Sequence, residues 1–206
     1  AVGLHLAREL GYRLVDTGMM YRAVTWLALQ RGIDVQDEVL VTRLAETARI
    51  ELGPPNANGL PTISIDGIDI TNELRLPEVD RNVSFVSRIG GVRQAMVRRQ
   101  REFAAEGDLI MLGRDIGSVV LTDAPVKVYL DASPEVRARR RYQEMGENGN
   151  PRPAEEILQE LRQRDEMDQQ RHVSPLRPAD DALVIDTDNL SLDEVIARVR
   201  AAAGAP

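Results

Sequence analysis

The sequence predicts an α/β fold with a parallel central sheet, helices on both faces and a small antiparallel insertion. Three observations carry this expectation. Short apolar runs bounded by polar turns recur at YRLV (12–15), LIML (109–112), VKVYL (126–130) and ALVIDT (182–187). Such runs read as strands buried on both faces, the mark of a parallel sheet. Helical patterns alternate with them, which is the βα order of a sheet covered on both sides. One stretch breaks the alternation: IELGPPNANGLPTISIDGIDITNELR (50–75) carries Pro-Pro, Asn-Gly and Asp-Gly and reads as a hairpin or small antiparallel sheet. At this level it fits a plain surface excursion as well as a substrate-binding flap.

The elements follow in order. Val2, Leu4, Leu6, Ala7 and Leu10 place an apolar stripe on an opening helix, and Gly11 supplies its stop. That helix has no Ser, Asp or Pro to start it and no strand before it, so a segment is expected ahead of Ala1. After the first strand, residues 19–32 form a helix closed by Gly32, and residues 37–50 form another. A helix follows the third run from about Pro134. Residues 153–171 make a long charged helix with Pro at its start, and 191–203 a last helix. Ser191 and Glu194 have the spacing of a capping box.

Composition narrows the function. The 206 residues make one domain, or one domain carrying an insertion. No run is long and apolar enough to span a bilayer, and the start does not resemble a signal peptide. The absence of cysteine removes disulfides and thiolate metal sites. A net charge of −7 argues against general nucleic-acid binding and leaves small molecules or proteins as partners. Lys127 is the one lysine among 26 basic residues. Codon bias accounts for that count but not for where particular arginines stand.

In open α/β sheets, ligands bind beyond the carboxyl ends of the strands. Here those ends carry cationic groups. DTGMMYR (16–22) sets Asp16, Thr17 and Gly18 in a strand-to-helix turn, with Arg22 on the first turn of the helix. GRDIGS (113–118) has Gly113 to let the backbone turn, then Arg114 and Asp115. DASPEVRARRR (131–141) brings Arg137, Arg139, Arg140 and Arg141. Arg164, Asp168 and Arg171 share one face of the long helix. Taken singly, each set fits a solvated helix face or a surface charge pair. Together they read as a place built for phosphates.

With these motifs in view, the chain resembles the bacterial cytidylate kinases, members of the P-loop nucleoside monophosphate kinases. DTGMMYR, GRDIGSVVLTDAPVKVYLDAS and RDEMDQQRHVSPLRPADDALVIDT match the family in order and at compatible spacing, over the whole chain. The resemblance implies a P-loop NTPase-type three-layer sandwich forming a single domain over 1–206, with residues 50–85 as the monophosphate-binding insertion and 137–164 as the lid. It implies transfer of the γ-phosphoryl group of ATP to CMP or dCMP, with Mg2+, in a cytoplasmic monomer of pyrimidine nucleotide metabolism with no nucleic-acid or membrane partner. It further implies a strand and a G-x-x-x-x-G-K-[ST] loop directly before Ala1, whose amides and lysine cradle the ATP phosphates. Lys127 lies within a predicted strand and does not replace that lysine.

Carried over to this chain, the resemblance assigns the monophosphate to Arg22, Arg114 and Arg171, with Thr17 beside it. Ser84, Arg93 and Asp115 would read the cytosine edge, and Arg164 and Asp168 would contact the ribose. Arg137, Arg139, Arg140 and Arg141 match the start of the lid, with residues 146–153 as its tip. Catalytic charge would come from Arg114, Arg139, Arg140 and Arg164. Two positions depart from the pattern. Leu112 stands where relatives usually carry an acid, which leaves the magnesium ligands open, and Ser118 replaces Thr. Three alternatives stay open: another P-loop kinase, for adenylate, guanylate or shikimate, a nucleotide-binding protein without catalysis, or a structural α/β domain.

Overall fold

A computed structural model describes residues 1–147, 152–170 and 176–204. The first helix, α1 (Val2–Leu10), ends at Gly11, whose φ of 67° is the left-handed turn expected there. β1 (Arg13–Asp16) leads directly into α2 (Thr17–Gln30), with the Asp16 carboxylate capping the helix by accepting from Gly18 N–H. α3 (Glu38–Thr47) is capped by Asp37.

The 50–75 stretch forms an antiparallel sheet of β2 (Ile50–Gly53), β3 (Thr62–Ile65) and β4 (Ile68–Asp69), ordered β2-β3-β4. Asp66 and Gly67 both have positive φ, 51° and 81°, the two-residue turn that Asp-Gly favours between paired strands.

Two helices then follow: α4 (Pro77–Arg88), begun by a proline, and α5 (Gly90–Ala104). Their buried residues Val79, Val83, Val86, Val92 and Met96 join Met20 and Val24 of α2, Val41 of α3, and Ile63 and Ile65 of β3 in one apolar core. That core fastens the antiparallel sheet to the helices, so it is not a loose excursion.

β5 (Leu109–Leu112) pairs in parallel with β1, matching Asp16 to Leu112. β6 (Val128–Asp131) leads into α6 (Pro134–Glu147); α7 (Ala154–Gln169) packs on α6. β7 (Leu183–Asp186) pairs in parallel with β6. α8 (Leu192–Ala202) closes the described chain with the expected Ser191–Glu194 capping box. The architecture is thus mixed α/β with parallel strand pairs. Among the described residues, β1-β5 and β6-β7 are separate hydrogen-bonded units, not one continuous sheet. No helix among the described residues is long and apolar enough to cross a membrane.

Lys127 stands just ahead of β6 rather than inside a strand. Its ammonium donates to Asp181 at 2.6 Å and to Thr122 O, so it fastens the start of β6 to the approach to β7.

Candidate active site

The carboxyl end of β5 and the whole length of β6 border a cleft of about 920 Å3. Leu112, Gly113 and Arg114 line one side, Asp131 to Pro134 another, and Arg137, Arg141, Arg164 and Asp165 come in from α6 and α7. Gly113 is required here for space, not for a positive φ. A Cβ on it would stand 2.5 Å from Thr17 Oγ1 and 2.6 Å from Ile116 Cδ1. Thr17 uses that closeness, donating from its hydroxyl to Leu112 O at 2.9 Å. Immediately after, Ile116–Val120 forms a π-helical turn that ends with Leu121 N–H on Ile116 O at 2.7 Å. This wide turn follows Asp115 and keeps Arg114 and Asp115 at the strand end.

Five arginines face this end of the molecule from four elements. Arg22 of α2 donates through Nη1 to Leu74 O at 3.0 Å and pairs with Asp80 at 2.6 Å. Arg114, at the end of β5, contacts the Asp168 carboxylate, which is 1% exposed. Arg137 grips Asp165 through both Nη atoms, at 3.1 and 2.5 Å, joining α6 to α7. Arg141 lies 3.9 Å from Asp80. Arg164 has a buried Nε without a hydrogen-bond partner among the described residues. Burial, reinforced by the charges of Arg114, Arg22 and Arg141, pulls the Arg164 guanidinium down to about 9. Burial also lowers Arg114, partly offset by Asp165. Crowded, partly dehydrated guanidiniums of this kind gain from an anion that accepts from several at once.

A second group lies behind the first. Arg93 of α5 is 2% exposed and pairs with the buried Asp115 carboxylate. Its other Nη donates to Ser87 O at 3.1 Å, and its guanidinium stands 5.5 Å from the centre of the Tyr21 ring. Burial pushes the Tyr21 phenol up to about 12, with Arg93 working the other way and Asp115 adding to it. Ser84 sits one helical turn before Ser87 on α4, and its carbonyl accepts from Ser87 Oγ at 3.3 Å.

The lid arginines divide. Arg139 is exposed. Arg140 donates to Thr187 Oγ1 at 3.0 Å and to Thr187 O at 2.6 Å, tying α6 to the end of β7. Arg171 lies outside the described residues, as does part of the expected lid tip. Three members of these groups escape sequence reading: Asp80, Asp165 and Tyr21. Tyr21 stands beside Arg22 in the turn motif, but nothing local to Asp80 or Asp165 announces which guanidinium each will meet.

The sequence profile of the cytidylate kinases matches residues 1–204. The chain belongs to the cytidylate kinase family. The cytidylate kinase of Desulforamulus reducens is 45% identical over 195 residues, covering 95% of this chain and 86% of that protein. The cytidylate kinase of Pseudomonas putida is 42% identical over 195 residues, with the same coverage of 95% and 86%. A bifunctional pantoate ligase/cytidylate kinase from Synechococcus sp. is 47% identical over 191 residues, which are 92% of this chain and 35% of that longer protein.

Proposed function

We propose that this protein transfers the γ-phosphoryl group of ATP to CMP or dCMP, giving ADP and CDP or dCDP. One observation carries the reading: Arg22, Arg114, Arg141 and Arg164 gather at the strand ends beside the buried Arg93–Asp115 pair. The arginines suit the acceptor phosphate, and a carboxylate suits the exocyclic amine of cytosine, as acidic side chains suit it in nucleic acids. Ser84 and Arg93 complete the base-reading side. Thr17 and Arg171 are proposed beside the acceptor phosphate, and Arg164 and Asp168 at the ribose. A monophosphate oxygen attacks the γ-phosphorus in line; the new P–O bond forms as the bond to the β–γ bridging oxygen breaks, and ADP leaves. The protein's part is position and positive charge around the equatorial oxygens, with Arg114, Arg139, Arg140 and Arg164 proposed in that role.

Magnesium fits as an ion carried in by the nucleotide. Among the described residues no group of three or more His, Asp or Glu side chains could hold a metal. Leu112 is apolar, while Asp16, its partner in the strand register, ends β1 with a carboxylate. Mg2+ keeps several waters and takes one or two carboxylates beside the phosphates, so Asp16 would hold its hydration shell. The ion would neutralise charge on the β- and γ-phosphates.

The same reading treats β1-β5 and β6-β7 as parts of one central sheet in a P-loop NTPase-type three-layer sandwich. Residues 50–85 would be the monophosphate-binding insertion and 137–164 the lid. The firm attachment of β2-β3-β4 to α4 and the packing of α6 on α7 support these limits. A cytoplasmic monomer rests on the family resemblance alone.

A coupled assay of ADP release with CMP, dCMP, UMP, AMP and GMP tests the reading. CMP and dCMP should be turned over best. Preference for AMP or GMP would point to a different monophosphate kinase, and CMP binding without ADP release to a nucleotide-binding protein.

A further inference from the structure

Asp80 places a carboxylate where the acceptor phosphate is expected. It belongs to the first turn of α4, and its Oδ1 meets Arg22 at 2.6 Å and Arg141 at 3.9 Å. The same Nη1 of Arg22 also donates to Leu74 O at 3.0 Å. The negative charge of Asp80 also reaches Arg164, where it opposes the effects of burial and of the neighbouring arginines. One carboxylate therefore serves guanidiniums from α2, α6 and α7. These are the groups that the proposed function gives to an incoming phosphate or to the nucleotide around it.

The surroundings allow this carboxylate to leave. The Asp80 side chain is 35% exposed, so it can turn to water without entering the core. Arg22 and Arg141 are less able to lose an anion, because each stands near Arg164 and repels it. We propose that Asp80 is an internal stand-in for the acceptor phosphate, neutralising Arg22 and Arg141 in the unliganded protein and exchanging places with the phosphate of a nucleoside monophosphate. The exchange conserves the pairing of the arginines with an anion. It also separates α4 from α6, the helices that Asp80 joins.

The proposal rests on the reading of the arginine cluster as the acceptor-phosphate site. Its quantitative content is competition. Apparent affinity falls by the fraction of protein in the competent form, so a stand-in engaged about nine-tenths of the time weakens monophosphate binding about tenfold.

Calorimetry on the full chain tests it, with Asp80→Asn, Asp80→Ser and Arg22→Ala, and with CMP and phosphate-free cytidine as probes. Two Asp80 variants are used so that failure of one to fold leaves a measurement. The expected result is CMP binding about three- to tenfold tighter in the Asp80 variants, with cytidine binding unchanged. CMP binding equal to or weaker than that of the unmodified protein would overturn the stand-in and make Asp80 an orienting partner of Arg22. Equal tightening of cytidine would overturn it too, since cytidine has no phosphate to compete. Arg22→Ala distinguishes this from failure of the site itself: if that change leaves CMP affinity untouched, the cluster is not the phosphate site.

Discussion

Replacing Asp115 by asparagine removes one charge from the driest ion pair in the site. Arg93 is 2% exposed and Asp115 9%. Breaking a buried pair by removing one partner costs about 3–5 kcal/mol, because the other charge is left uncompensated. Here the remaining guanidinium keeps Ser87 O at 3.1 Å, the Tyr21 ring at 5.5 Å and the carbonyl oxygen of the new asparagine. The loss should therefore lie at or below the low end of that range, about 2–3 kcal/mol. At about 2–4 °C per kcal/mol for a chain of this size, Tm should fall by roughly 4–12 °C. The same change removes the charged acceptor proposed for the cytosine amine. A hydrogen bond to a charged group contributes about 1.5–3 kcal/mol, so preference for CMP over UMP should drop by about tenfold or more. Thermal unfolding and paired Kd measurements for CMP and UMP check both halves. An unchanged Tm would refute the argument from burial. A lowered Tm with an unchanged CMP/UMP ratio would show that the pair supports the fold without reading the base.

Arg22→Ala should weaken CMP binding by tenfold or more and leave ATP binding nearly intact, as paired Kd measurements would show; equal effects on both nucleotides would remove Arg22 from the acceptor site. Arg139→Ala should lower kcat with little change in Tm, since Arg139 is exposed. Arg140→Ala should lower kcat and Tm together, because its hydrogen bonds to Thr187 tie α6 to β7; kinetics and melting of the two variants side by side test the distinction. The Tyr21 phenol is pushed up to about 12 in the folded protein, against about 10 when unfolded. The folded state thus favours the neutral phenol, and that share of stability is complete below about pH 10 and is lost as pH rises from there towards 12. Tyr21→Phe should flatten this decline in a series of urea midpoints across alkaline pH; an unchanged slope would mean that other groups cause it.

Much of the fold was legible from local patterns. The run LIML is a strand over the very residues expected, Leu109–Leu112, because an apolar stretch between polar turns has few other uses. Gly11 and the Ser191–Glu194 box act within a few residues of chain, so their meaning survives without tertiary context. The alternation of apolar runs does not announce α4 and α5, although Pro77 and the apolar spacing of Val79, Val83 and Val86 mark the first of them. In the sequence Gly113 suggests a backbone turn, whereas the structure makes it a matter of room beside Thr17 and Ile116.

The sequence by itself determined the alternation of strands and helices, the antiparallel stretch and the presence of arginines after successive strands. Each depends on residue spacing along one segment. Only the tertiary structure decided which charges meet. Arg93 and Asp115 are 22 residues apart, and Arg137 and Asp165 are 28 apart. Asp80 finds Arg22 and Arg141 across three helices. A carboxylate on a helix looks the same in sequence whether it faces water or a guanidinium. Packing of the helices removes water from a few of these charges, and in that drier place each must find a partner or shift its proton affinity.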